Sequence, residues 1–297
     1  MITSVGSIAI DHIIVVEKFS KNESVRILKF KEFFGGAGAN VSVAVSRLGV
    51  KSKLVSVAGE DFNYEYRRYL KKEGVDLSNL VIGGKRCFRS FIISVPGIEE
   101  QEIYFYASSD LIEKFKKIEL GNTGKIVHFS TWEDFEVYER LMKEAKENSL
   151  ISFDPGQQTH KDPEGVCKLL KFTDFLFMNE YEAKTISNYL KKPIWEIKGP
   201  KIIWISLGKE GAKFYYKGEE IYIPSVKPEK EIDPTGCGDS HRAGFLVAYL
   251  KGCDIETAGR IGAVVASFVI EKEGSQTNLP TWEEVEKRYR KVFGEGI

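Results

Sequence analysis

Cysteine is scarce in this chain of 297 residues: Cys87, Cys167, Cys237 and Cys253 are the full set, and their spacings match no zinc motif. Histidine is equally thin. His12, His128, His160 and His241 show no metal-ligand spacing, so structural or surface roles are expected for them. No apolar run approaches the roughly 18 residues that a membrane span requires. The opening MITSVGSIAID lacks the basic stretch and apolar segment of a secretory signal, which leads to the expectation of a reduced, cytoplasmic protein. Neither charge sign is in excess: 43 basic residues balance 43 acidic ones, so no global field recruits nucleic acid or an anionic membrane. The pattern G-x-x-x-x-G-K-[ST] is missing, which removes P-loop chemistry. A small-molecule partner is what these absences leave.

What is present is enough apolar content, 42% of residues, for one large α/β domain over 1–297. Short β-branched runs near 4–10, 53–59, 126–130, 150–154, 175–179 and 201–208 alternate with helical patterns. Their continuous hydrophobicity suits strands covered on both faces, and so a mostly parallel sheet with flanking helices. Helices are expected near 38–48, 63–73, 134–147, 180–190, 239–251, 255–272 and 281–293, and a hairpin over 211–223 turning at Lys217 and Gly218. Residues 12–34 and 86–107 break this rhythm with two strand-like runs each. Four extra strands without helices between them predict a separate small sheet, with an edge extension of the main sheet as the alternative.

The segment DPTGCGDSHRAGF, residues 233–245, runs a two-glycine turn into an Asp and then a helix. Gly236, Cys237 and Gly238 place backbone N–H groups at a helix N-terminus, where the peptide dipoles favour negative charge. A carboxylate at Asp239 repels an anion held there unless it removes a proton from something. Together they point to phosphoryl transfer onto a hydroxyl, with Asp239 as general base; a plain helix cap is the alternative for Asp239. Cys237 reads either as a reactive thiol at a helix N-terminus or as a small buried filler.

This segment resembles the second signature of the ribokinase-like carbohydrate and nucleoside kinases, the PfkB family, and GGAGAN at 35–40 resembles the first. With weaker matches the resemblance extends over essentially the whole chain. It implies an α/β, ribokinase-like fold in which a mostly parallel central sheet, flanked by helices, carries a small β-sheet lid over the substrate, and that lid often dimerises. Gly35, Gly36 and Asn40 resemble the sugar-binding end of the first signature. Asp11 resembles the acidic residue that grips vicinal hydroxyls, since a carboxylate accepts from two hydroxyls at once. A helix cap at Asn40 and a turn at Asp11 are the alternatives. GGAGAN is no dinucleotide fingerprint, because Val41 stands where the third small residue belongs and the first strand ends upstream at Ile10.

By the same resemblance Asn179 and Glu182, in NEYE, organise Mg2+ and phosphates, commonly through water, although the pair also spells a capping box. Ser206, Gly208 and Gly211 fit the nucleotide loop with Ser in place of Thr. Ala263, Ala266 and Ser267 read as an adenine-side wall or as close helix packing. Asp233, Thr235 and Gly274 lie where related kinases build a monovalent-cation site, and Pro234 departs from the pattern, which leaves a K+ requirement open. Arg242 either faces phosphate or lies on the helix surface, and the surface is expected. FDPGQ at 153–157 lacks the Asn and Arg of the sugar kinases' D-x-N-x-R. With Ala37 and GSQTNLP at 274–280 it makes the chain most similar to archaeal nucleoside kinases within the family. The expectation is transfer from ATP or ADP to a nucleoside 5′-hydroxyl, with Phe88, Phe91, Tyr104 and Phe105 of the lid stacking the base or packing on the main domain. A kinase for ribose, another pentose or ribose 1-phosphate, and a non-catalytic ligand sensor, are the alternatives.

Overall fold

The computed structural model describes residues 1–98, 101–130 and 134–297, so positions 99–100 of the second expected lid segment lie outside the described residues. Strand β1 (Ile2–Val5) is buried along its whole length and ends at Gly6, where a Cβ would stand 2.9 Å from Ser130 Cβ. There the chain leaves the main sheet and enters β2 (Ala9–Val16) and β3 (Ile27–Gly35). The run near 4–10 is therefore not one strand. Its apolar pattern is continuous, but two sheets share it, and Asp11 belongs to β2.

The chain continues through α1 (Ala37–Arg47), β4 (Ser52–Ala58), α2 (Tyr64–Lys72), β5 (Val75–Ile82), β6 (Phe88–Ser94), β7 (Gln101–Tyr106) and α3 (Ser109–Phe115). Next come β8 (Ile126–Phe129), α4 (Phe135–Lys146), β9 (Leu150–Phe153), α5 (Gln158–Lys161), α6 (Pro163–Leu169), β10 (Phe175–Asn179) and α7 (Glu180–Leu190). The last stretch holds β11 (Ile202–Ser206), β12 (Ala212–Tyr216), β13 (Glu219–Ile223), α8 (Cys237–Lys251), α9 (Ile255–Val269) and α10 (Trp282–Phe293). No described helix is long and apolar enough to cross a membrane.

Nine strands form the main sheet in the order β13-β12-β11-β10-β9-β8-β1-β4-β5, parallel from β5 to β11 and antiparallel in the closing hairpin. Lys217 and Gly218 turn that hairpin with positive φ at both positions, as a two-residue turn of primed type demands. Apolar cores cover both faces of the sheet: Phe177, Trp204, Phe214 and Phe245 belong to one, Phe129, Tyr138 and Phe153 to the other. This double cover explains why the central strands read as unbroken apolar runs. The sequence pattern passed over β5, an edge strand that is only partly buried and so carries a weak apolar signal.

The second sheet has the order β3-β2-β6-β7 and contains none of the main strands, so the edge-extension alternative fails. Parallel register in the main sheet pairs Asn179 with Ser206 and Phe129 with Phe153. Asp154, Asn179 and Ser206 consequently stand together at the carboxyl ends of neighbouring strands, where open α/β sheets bind ligands.

Candidate active site

Helix α8 begins at Gly236, whose φ of 82° is the left-handed conformation glycine tolerates and whose missing Cβ leaves room for Ser275, 2.4 Å from where that Cβ would stand. The first N–H groups of a helix have no intrahelical partner. Here the N–H of Cys237 donates to the Pro234 carbonyl at 3.1 Å. Cys237 is therefore not the donor its place in the motif implied, and the first-turn donors that α8 offers an anion are those of Gly238 and Asp239. The Cys237 thiol is turned to the Ala266 carbonyl at 3.8 Å, and burial, followed by the charges of Asp233 and Asp239, pushes its pKa up to about 12. That removes the reactive-thiol alternative and leaves the buried filler.

Asp239 is 15% exposed and accepts a hydrogen bond from Asn40 Nδ2 at 2.8 Å on Oδ2. Burial raises its pKa to about 6 against the opposing pull of Arg242 and Asn40. Arg242 is not a surface residue. Its guanidinium is 15% exposed, lies 3.0 Å from Asp154 and 3.6 Å from Asp239, and passes so close over Gly238 that a Cβ there would be 2.6 Å from Nη1. The i, i+3 spacing places Arg242 beside Asp239, but the acidic partner that draws it inward comes from the end of β9, some 90 residues earlier on the chain, which local pattern cannot show.

Asp11 approaches from the lid. It is 5% exposed, hydrogen-bonded to Ser90 on the neighbouring strand, and raised to about 7 chiefly by burial, with Asp239 and Asp233 adding to the rise. Gly35 is glycine for a steric reason, since its Cβ would fall 1.9 Å from Asp11 Oδ2. Gly36 caps α1 and Asn40 follows one turn later, so α1 delivers Asn40 to Asp239. The structure thus brings together Asp11, Gly35, Asn40 and Asp239 from four separate elements, β2, β3, α1 and α8.

Asn179 and Glu182 form the full capping box of α7, each accepting the other's backbone N–H at 2.9 Å. The box uses Glu182 Oε2 alone. Glu182 is raised to about 7 by burial and by Asp154, whose own carboxyl is raised by burial. No group of three His, Cys, Asp or Glu side chains among the described residues could hold a metal by itself. Mg2+ needs no such cage, because it keeps several waters and takes one or two carboxylates plus phosphate oxygens, and Glu182 with Asp154 nearby fits that donor set. Ser206 Oγ donates to the Met178 carbonyl at 3.4 Å, and Gly208 and Gly211 turn the following loop with positive φ. Ala263 and Ala266 lie on α9, whose Gly262 packs under His241 of α8; the Ser267 hydroxyl donates to Val264 and accepts from Arg288. Asp233 gathers the N–H groups of Thr235 and Gly274, both at 2.9 Å.

The lid aromatics do not share a face. Alternation and register put Phe88 and Phe105 on the side of Asp11, while Phe91 and Tyr104 lie on the other, where Phe91 stacks on His12 at 4.7 Å. Phe33, opposite Asp11 in register and packed on Gly274, joins the site face; the sequence reading missed it because β3 alternates with charged residues. Lys31 and Lys29 of the same strand both pair with Glu273, holding the lid to the loop behind Gly274. Sequence reasoning also missed Gln276, which hydrogen-bonds Asn40, and Tyr66 behind it.

With this geometry in view, the family model of the pfkB family carbohydrate kinases matches residues 1–282. The chain belongs to the pfkB family. It is 40% identical over 295 residues to the nucleoside kinase of Methanocaldococcus jannaschii, covering 98% of this chain and 97% of that one. It is 35% identical to the nucleoside kinase of Methanothermobacter thermautotrophicus, covering 98% and 96%. The crystal structure of the Methanocaldococcus protein superposes with a TM-score of 0.91 over 98% of both chains. As a pfkB kinase the chain is a phosphotransferase that acts on a hydroxyl group.

Proposed function

We propose that the chain moves the terminal phosphoryl group of ATP or ADP to the 5′-hydroxyl of a nucleoside, with Asp239 as general base. The observation that carries this reading is the placement of Asp239, a carboxylate that burial raises to about 6, at the start of α8, bonded to Asn40 and close enough to Asp11 to raise it as well. The hydroxyl enters between Asp11 and Asp239, and its proton passes to Asp239 as the oxygen attacks phosphorus in line with the departing nucleotide oxygen. Gly238 and Asp239 N–H groups hold the transferring phosphoryl oxygens. Glu182, with Asp154 nearby, would hold Mg2+, which would supply neutralisation of phosphate charge. Asn179, Ser206, Gly208, Gly211, Ala263 and Ser267 line the donor side, and Asp233, Thr235 and Gly274 form a monovalent-cation site for K+ behind the anion cradle.

Asp11 and Asn40 reach hydroxyls common to free ribose and nucleosides, so the base is distinguished on the lid, against Phe33 and Phe105. Aromatic contact of this kind tolerates different bases at about 1–3 kcal/mol each. Purine and pyrimidine nucleosides are accordingly expected to differ by about tenfold to a hundredfold in kcat/KM, with ribose far poorer. The naming of the 40% and 35% identical relatives as nucleoside kinases supports this choice. A coupled assay of nucleosides, ribose and ribose 1-phosphate with ATP and with ADP tests it. Efficient turnover of ribose or its phosphate with none of any nucleoside would replace the substrate and leave the kinase.

Asp11→Ala is expected to raise KM for the acceptor by a loss of about 1–3 kcal/mol per hydrogen bond while leaving KM for the nucleotide donor unchanged. A weakened donor instead would reverse the two subsites. We further propose a cytoplasmic homodimer through the lid, whose edge strand β7 leaves Ile103, Tyr104, Phe105 and Tyr106 exposed; sedimentation of the purified protein reads the dimer directly.

A further inference from the structure

The two ends of a side-chain amide are told apart by their partners. In this site the assignment propagates from a group with no choice, the Gly35 carbonyl, which can only accept. Tyr66 donates to it at 2.8 Å, and that uses the single phenolic proton. The Tyr66 oxygen must therefore accept from Gln276 Nε2, at 2.9 Å, which fixes the Gln276 amide with its NH2 group inward. The second N–H of that group meets Asn40 Oδ1 at 2.7 Å, and Ser275 Oγ stands at 3.0 Å from the same oxygen. Both acceptor positions of Asn40 Oδ1 are thereby filled. Asn40 is left with its NH2 end facing Asp239 and one further N–H for a substrate oxygen.

We infer that Gln276 is a positioning residue: it holds Asn40 as a donor, so that Asp239 and the reacting hydroxyl meet N–H groups and never the amide oxygen. The placement of Gln276 matches that task. It is 7% exposed, and its own Oε1 has no hydrogen-bond partner among the described residues, so its burial is not explained by a balanced set of bonds of its own. Without Gln276 the Asn40 oxygen keeps Ser275 as its one remaining donor, and the amide is held less firmly with its NH2 end toward Asp239. Among the described residues the charged and titratable groups around Asp239 are Arg242 and Cys237 on its own helix, Asp154 from the end of β9 and Asp11 from β2. Arg242 is the cation among them. The donor from Asn40 is thus a substantial part of what favours an ionised Asp239.

The inference rests on Asp239 being the base. Its test is the pH dependence of kcat for Gln276→Met, which keeps bulk and removes both donors, and for Ser275→Ala, which removes the other donor to Asn40. Gln276→Met is expected to move the acid limb upward by about one pH unit, which lowers kcat about twofold at pH 7 and about tenfold at pH values below the limb, one pK unit being a factor of ten there. KM for the nucleotide donor should stay within about twofold, and Ser275→Ala should move the limb in the same direction by less. An acid limb that does not move in folded Gln276→Met, with the damage confined to Tm, would overturn the inference. If Gln276→Met fails to fold, an unmoved limb in Ser275→Ala overturns it equally. Should Asp239→Asn keep normal turnover, the underlying base assignment fails instead, and the two failures are separable.

Discussion

Asp239→Asn is expected to lower kcat by about 10² to 10⁴ while leaving nucleotide binding nearly unchanged. Asn keeps the shape and an acceptor for Asn40 Nδ2, so what the substitution removes is the capacity to take a proton. The wild-type profile should fall as pH drops through about 6, where Asp239 becomes protonated. The effect on stability runs the other way. Because the folded pKa is raised, folded protein holds a proton on Asp239 between the ordinary carboxylate range and about pH 6 that the unfolded chain has released. Stability contributed by this group is therefore full below that window and lost as pH rises through it. At pH 7 the Asn variant should consequently be more stable, by about 3 kcal/mol, since each pK unit is worth about 1.4 kcal/mol. Turnover within a few-fold of wild type, measured with a coupled assay and denaturant titration, would refute the assignment.

Arg242→Met is expected to have the second largest effect. Removing one partner of a buried charge pair leaves the other uncompensated, at about 3–5 kcal/mol. Here the loss takes the guanidinium away from Asp154, 6% exposed and still bonded to the Gly156 N–H, beside Asp239 and Glu182, so all three carboxyls should resist ionisation more strongly than in wild type. The acid limb of kcat should move upward and activity at pH 7 should fall about tenfold or more. Urea denaturation and a pH profile check both effects. A variant with wild-type stability and an unmoved profile would mean that Arg242 is solvated and that its contact with Asp154 contributes little.

These two residues show how differently the site could be read beforehand. Asp239 was legible because everything that marks it is local: a two-glycine turn, a helix start, and a carboxylate placed where an anion cradle would otherwise exclude one. Arg242, three residues further on, was expected at the surface. Its burial depends on Asp154, brought to it by the order of β9, β10 and the helices packed across the sheet. Gln276 is a stronger case, since its role exists only through Asn40 and Tyr66, more than 200 residues away in the chain. The lid aromatics are divided between two faces for a simpler reason. Strand period is two, so the side of the sheet on which Phe91 and Phe105 point depends on register, and register is set by pairing with β2.

By itself the sequence determined the α/β class, the seven helices and one hairpin named from it to within a few residues, the existence of four extra strands, and the signatures of a hydroxyl-directed phosphotransferase. Those features follow from period, turn chemistry and short motifs, all of which act over a few neighbouring residues. Tertiary structure alone decided that the run through Gly6 is divided between two sheets, that Cys237 is an inert filler with its N–H already engaged, and that Asn40 is a donor toward Asp239. Each of those is a question of which distant group takes a hydrogen bond or fills a space, and in a chain of this length such partners are chosen by packing across the sheet.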